Sequence, residues 1–289
     1  MRRDIFLPVL SLAGGAAGFF LRRWQLASAY RPEEGLFTHG APATWALLLL
    51  AALLALAFGL ALRGEGRKSA PDDFLPAFGC PQAGQMTVLA AAGFLLFAAG
   101  GLGMQDGFRT LRLWQAAPEM YQLSLPAVQL LAGVLCVPAG LGILFMGRMA
   151  YRRELDSAGC FLAPFPPLAG LLWVFSAHLR QGSEPVLMKY GFSLFAALLL
   201  TLSHYYFAGF LFGRPRPRRA LFFALTGVTL GMISLADGPD LFTAAVTVAF
   251  ALSALAFARV LLRAVFGPPW PKRLMSERMP PPEEEEQDE

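Results

Sequence analysis

Thr201, Ser203, His204, Tyr205 and Tyr206 form the densest group of chemically capable side chains in the sequence. They sit inside an apolar run, Val186 to Gly213, so hydroxyls and an imidazole share a helix otherwise built for lipid. At a rise of about 1.5 Å per residue, His204 lies roughly 14 Å from the Gly213 end, close to the middle of a bilayer. Thr201, His204, Tyr205, Ala208 and Gly209 obey the i, i+3, i+4, i+7, i+8 spacing of one helical face. That small, polar face is expected to turn into a helix bundle. An ionisable residue at such depth marks a functional site, because lipid offers it no hydrogen bond and its desolvation is costly. Imidazole also changes charge near neutral pH. The plainer account is a neutral His204 that bonds a neighbouring helix. On the first account His204, Tyr205 and Thr201 contact a substrate; on the second they pack.

Arg22 and Arg23, Arg109 and Arg112, and His178 with Arg180 stand at the same end of alternate apolar runs. If the helices close into a ring, Arg22, Arg23, Arg112 and Arg180 crown an outer vestibule that draws in anions, as charged rings do in pores. The segments on that side also carry Glu33, Glu34, Asp106, Glu119, Glu184, Asp237 and Asp240, as many acids as bases. Local ion pairing and snorkelling therefore compete with the vestibule for these charges.

Spacing argues against most other chemistry. Asp237-Gly238-Pro239-Asp240 is explained by turn formation, and two aspartates supply too few ligands for a metal. His39, His178 and His204 show no HxxxH spacing, and Cys80, Cys136 and Cys160 form no CxxC pair, so no metal site is expected. The cysteines are too few for a disulfide framework and are expected as thiols. Ser176 and Ser203 lie near histidines but within no nucleophile elbow. No catalytic residue and no cofactor is assigned. The net charge of +4 resides in short clusters at the ends of apolar runs. Membrane topology explains such clusters, which argues against nucleic acid as a partner.

The elements that must position these residues are eight apolar runs: Ile5 to Leu21, Ala43 to Leu62, Gln85 to Gly103, Leu125 to Gly147, Phe161 to Ala177, Val186 to Gly213, Ala220 to Ala236 and Leu241 to Phe266. Each is long enough, or nearly so, to cross a hydrocarbon core of about 30 Å as a helix. A chain that is 56% hydrophobic and 15% charged cannot cover a water-soluble domain of this size. The expected fold is all-α: a polytopic integral membrane bundle of eight transmembrane helices arranged as four hairpins, over residues 1–266, with the lipid bilayer as its partner. With the N-terminus inside, the inner segments carry 17 Lys and Arg and the outer segments 7. The positive-inside rule then places both termini in the cytoplasm and the protein in the cell membrane. Removing residues 1–21 as a signal peptide would weaken that asymmetry, so an uncleaved first helix is expected.

Finer features qualify this picture. Leu21-Arg22-Arg23-Trp24-Gln25 resembles Leu111-Arg112-Leu113-Trp114-Gln115, a weak hint of a hairpin repeat, although membrane interfaces favour Trp and Arg at span ends anyway. Gly14 with Gly18, Gly227 with Gly231, and Gly133 with Gly140 mark close helix contacts. Pro138 and the cluster Pro164, Pro166 and Pro167 predict kinks or a late helix start. Arg214-Pro215-Arg216-Pro217-Arg218-Arg219 reads as a rigid basic link that attracts anionic lipid headgroups. Residues 267–289, rich in proline and ending in Glu283 to Glu286 and beyond, read as a disordered cytoplasmic tail able to dock a partner. Two functions fit. One is a small-solute permease with a polar site near the bilayer midplane. The other is a noncatalytic accessory, scaffold or sensor subunit that engages a membrane-protein partner through its cytoplasmic loops and acidic tail. The absence of an acid within the spans weighs against the first; eight spans exceed what an anchor needs and weigh against the second.

Overall fold

A computed structural model describes residues 2–63, 71–80, 82–120, 122–181 and 187–268. Arg67, Lys68, Glu184 and all but the first two residues of the expected tail fall outside them. Among the described residues, eight segments are helical, long and apolar enough to cross a membrane, giving the all-α polytopic bundle that the hydropathy predicts. In chain order the helices are α1 (Arg3–Ser28), α2 (Pro42–Ala61), α3 (Phe74–Phe78), α4 (Ala83–Ala116), α5 (Ser124–Arg152), α6 (Ser157–Leu162), α7 (Phe165–Gln181), α8 (Leu187–Gly209), α9 (Pro217–Ser234) and α10 (Leu241–Phe266). The spans pair as four hairpins, α1–α2, α4–α5, α7–α8 and α9–α10. Because the number of spans is even, the ends of α1 and α10 nearest the chain termini lie on one face, here the terminal face. The other is the distal face.

Local chemistry sets the helix boundaries. Pro42 and Pro217 occupy first-turn positions of α2 and α9, where the missing N–H costs nothing. Asp240 caps α10, its Oδ1 accepting from the Thr243 amide at 2.9 Å. The expected Asp237–Asp240 turn forms with Gly238 at φ +65°, a left-handed conformation suited to glycine. Pro138 stays within a continuous α5, whereas at Ala163 and Pro164 the fifth span breaks into α6 and α7. Pro166 and Pro167 supply no amide hydrogens to carry a single helix through that point.

α10 is the central helix, packed on α1, α3, α4, α8 and α9, while α2 lies at the edge against α1 and α9. Trp45, Leu49, Leu53, Leu56 and Leu60 of α2 are all exposed, as a lipid-facing stripe must be. The tightest pair is α4 with α5, joined through glycine. An added Cβ at Gly133 would stand 2.8 Å from the Met104 nitrogen and 3.0 Å from the Gly100 oxygen, and one at Gly140 would stand 2.7 Å from the Gly93 oxygen. Gly14 and Gly18 of α1 face Leu54 and Ile233, and Gly227 and Gly231 of α9 face Leu200 and Thr247. Each glycine motif therefore meets a neighbouring helix.

Two small elements were not expected. A two-residue antiparallel hairpin, β1 (Tyr30–Arg31) with β2 (Leu36–Phe37), follows α1 on the distal face, with Tyr30 opposite Phe37. On the terminal face the one-turn helix α3 buries Phe74, Ala77 and Phe78. Phe78 makes edge contacts with Phe207, Phe210 and Phe257, its ring centroid 5.6, 5.1 and 5.5 Å from theirs. These contacts close the terminal-face end of the α8–α10 interface with aromatic surface.

Candidate polar site and its two flanking cavities

His204 projects from α8 towards α10 and is 3% exposed. Its Nδ1 lies 2.8 Å from the Leu200 carbonyl oxygen and its Nε2 lies 2.8 Å from Ser253 Oγ. A carbonyl only accepts, so Nδ1 carries the proton and donates to Leu200. In the neutral ring Nε2 then accepts from the Ser253 hydroxyl. Ser253 Oγ is also 2.8 Å from the Ala249 carbonyl and 3.2 Å from that of Phe250. If Nε2 takes up a proton, the Ser253 hydroxyl can turn to Ala249 and its oxygen can accept from the ring. Both protonation states are thereby hydrogen-bonded without moving a heavy atom. The ring is held edgewise by Phe207 and Phe250, at centroid distances of 5.8 and 4.7 Å.

Ser253 lies 12 residues after Leu241 and 13 before Phe266, so the pair is at mid-length of α10. α8 itself ends at Gly209, only 5 residues beyond His204 and short of the Gly213 boundary read from hydropathy. Thr201 is buried nearby, its Oγ1 donating to the Ala197 carbonyl at 2.7 Å and packing against Gly170 of α7. Trp173 of α7 is 2% exposed and lies tilted against Phe250 at a centroid distance of 5.5 Å, and its Nε1 hydrogen has no partner among the described residues. Tyr205 is not brought to this group. It is 53% exposed, on the flank of α8. Thr201 and His204 thus sit in one packed layer with Ser253 and Trp173, and Tyr205 lies outside it.

On the terminal side of this layer Tyr205 joins a cavity of about 600 Å³ lined by Pro164 and Pro167, Tyr206, Ala208 and Gly209, and Arg214, Arg216 and Arg219. On the distal side a cavity of about 330 Å³ opens at the other ends of α7, α8 and α9, lined by Arg180, Lys189, Ser193, Ser234, Asp237, Asp240 and Thr243, with Arg22 of α1. Two of the four expected vestibule arginines, Arg22 and Arg180, therefore line one cavity. Arg23 and Arg112 are exposed and stand outside its lining.

Both cavity arginines are engaged by acids. Arg22 is fully buried, and its Nε contacts Asp237 Oδ1 at 2.6 Å. It also donates to Gln25 Oε1 at 2.7 Å and to the Lys189 carbonyl at 3.0 Å, beneath the rings of Phe37 and Phe192. Gln25 Nε2 in turn donates to Thr44 Oγ1 at 2.8 Å. One guanidinium thus ties α1, the α8 start, the α9–α10 turn and the hairpin together. Arg180 Nη1 pairs with Asp240 at 2.5 Å and Nη2 with Asp106 at 3.4 Å. With its amide turned so that both faces are satisfied, Gln129 accepts from Arg180 Nε at 2.7 Å and donates to Thr110 at 2.9 Å.

Cys80, between α3 and α4, is buried, which pushes its thiol up from the usual range and leaves it a poor nucleophile. Among the described residues no three His, Cys, Asp or Glu side chains converge on a possible metal position. Sequence reasoning missed Ser253 and Trp173, which sit in α10 and α7 with apolar residues on either side. The weak available signal was that a lone serine in a membrane helix needs a partner. Compared with known proteins, the chain matches no family model, no curated protein and no solved structure.

Proposed function

We propose that this chain is a small-solute permease rather than an enzyme, set in the cell membrane with its terminal face in the cytoplasm. The observation that carries the reading is the placement of two cavities at opposite ends of α7, α8 and α9 with one packed polar layer between them. Thr201, His204, Ser253 and the unpartnered Trp173 Nε1 make up that layer. A carrier closed to both sides has this organisation, with a central site that opens in turn to each vestibule. Donors and acceptors already exist in the layer for a small polar solute. The 17-to-7 distribution of basic residues sets the proposed orientation.

A second reading, a noncatalytic accessory or sensor subunit, is favoured by one observation: both nitrogens of His204 are satisfied within the protein. Solute flux separates the two. Reconstituted protein is tested by light-scattering swelling of proteoliposomes in glycerol, urea and small monocarboxylates. The permease reading predicts flux above that of empty liposomes. His204→Leu is expected to lower it about tenfold, the order of one lost buried hydrogen bond. Wild-type flux in the folded variant would reduce His204 to packing, and wild-type flux no greater than that of empty liposomes would favour the subunit.

A further inference from the structure

The cavity on the terminal face has a charge pattern that the transport reading does not use. Arg214, Arg216 and Arg219 line it, and among the described residues none of its lining is acidic. All three arginines are exposed, and Arg219 Nη1 reaches the Tyr206 hydroxyl at 3.5 Å. Tyr206 is fixed by stacking on Phe223 at a centroid distance of 5.6 Å and an interplanar angle of 14°. The tight link between α8 and α9 sets the positions of the cations. Gly213 adopts φ +65°, and the Arg214 amide donates back to the Gly209 carbonyl at 2.9 Å, which folds the link against the end of α8.

The position of these charges on α9 is unfavourable for the protein alone. Arg216 is the N-cap residue and Arg219 lies in the first turn, which contains no acid. The partial positive charge of a helix N-terminus repels guanidinium groups and attracts anions. Three cations gathered around a cavity at this end are therefore mutually unfavourable until an anion enters. The cavity also lies where α8 ends and α9 begins, at the level where a spanning bundle meets lipid headgroups. Phe212, 54% exposed, and Tyr205 flank it with the aromatic surface typical of that level.

We propose that this cavity is a binding site for a phosphoryl anion, held by Arg214, Arg216 and Arg219 with the Tyr206 hydroxyl. Guanidinium groups match phosphate oxygens in geometry as well as charge. The shared chemistry admits an anionic phospholipid headgroup or free phosphate. The site does not depend on the transport reading, since a permease for a neutral solute and an accessory subunit could each carry it.

The test uses the full chain in nanodiscs with two probes. In one arm the bilayer contains phosphatidylcholine with a minor share of phosphatidylglycerol, and retained lipid is counted by native mass spectrometry. In the other the bilayer is phosphatidylcholine alone, and radiolabelled inorganic phosphate is measured by equilibrium dialysis. Wild-type protein is expected to retain the phosphoryl ligand in at least one arm. Arg214→Gln with Arg219→Gln, both at exposed positions, should weaken retention about 30-fold, since each basic residue near a headgroup contributes roughly fivefold. Arg112→Gln, exposed at the distal face, should leave it unchanged. Retention only of phosphatidylglycerol assigns the headgroup, and retention of phosphate assigns the free anion. No retention in either arm, or equal retention by the double variant, overturns the proposal.

Discussion

Arg22→Ala will destabilise the folded protein by about 3 to 5 kcal/mol, the cost of removing one member of a buried ion pair. Arg22 is fully buried and its partner Asp237 is 18% exposed, so the orphaned carboxylate would have little water to replace the guanidinium. The loss extends beyond the pair. Gln25 Oε1 and the Lys189 carbonyl each lose a donor, and the rings of Phe37 and Phe192 lose the cation they cover. The companion variant Arg22→Met with Asp237→Leu removes both charges while keeping similar volume, and should recover most of the loss. Urea unfolding of the detergent-solubilised protein, followed by far-UV circular dichroism, gives the three stabilities. A single variant as stable as wild type would show that the pair contributes nothing.

The second large effect lies in the α4–α5 pair. Gly133→Ala adds one methyl group where the nearest atoms, 2.8 to 3.0 Å away, belong to the backbone of α4 at Gly100, Gly103 and Met104. Backbone atoms cannot rotate aside as a side chain can, so the helices must separate and lose contact along their length. The expected cost is about 1 to 3 kcal/mol, and more for Gly133→Leu. Gly101→Ala provides the opposite sign on α4: nothing lies within 4 Å of its added Cβ. There alanine should be neutral or stabilising by up to about 1 kcal/mol through helix propensity. Thermal melts in one detergent decide the matter. Destabilisation at both positions, or at neither, would contradict the close backbone approach.

The spans were legible because crossing a bilayer demands length and apolarity, and both are local properties of sequence. The glycine spacings likewise marked which helix faces are close-packed. They could not name the opposing surface, such as Leu54 for Gly14 or Ile233 for Gly18, because partner choice depends on the whole bundle. α3 and the β1–β2 hairpin escaped notice because five-residue and two-residue elements carry too little periodicity to register. The burial of His204 followed from its position in an apolar run. Its partner Ser253 did not, since 49 residues separate them.

Tyr205 shows where helical periodicity runs out. Thr201, His204 and Tyr205 span an arc broader than the groove between α7 and α10, so the core receives the first two and leaves Tyr205 at its edge. The outer arginines show a different gap. Position placed Arg22, Arg23, Arg112 and Arg180 at one level of the membrane, but which of them enter a cavity depends on acids far away in sequence. Asp237 is 215 residues from Arg22, and Asp240 is 60 from Arg180. Charge counting detected the balance of acids and bases without revealing the pairs.

The central claim is that the polar layer around His204 opens alternately to the two cavities, and thiol accessibility measures it directly. In a background with Cys80, Cys136 and Cys160 replaced by serine or alanine, single cysteines are placed at Ser193 in the distal cavity, Arg216 in the terminal cavity and Ser253 in the layer. A membrane-impermeant thiol reagent is then applied to either side of sealed, oriented proteoliposomes. Ser193→Cys should label only from the outside and Arg216→Cys only from the cytoplasmic side, while Ser253→Cys labels slowly from both. Labelling of the two cavity positions with Ser253→Cys unreactive from either side would contradict alternating access and describe a rigid bundle with a sealed core.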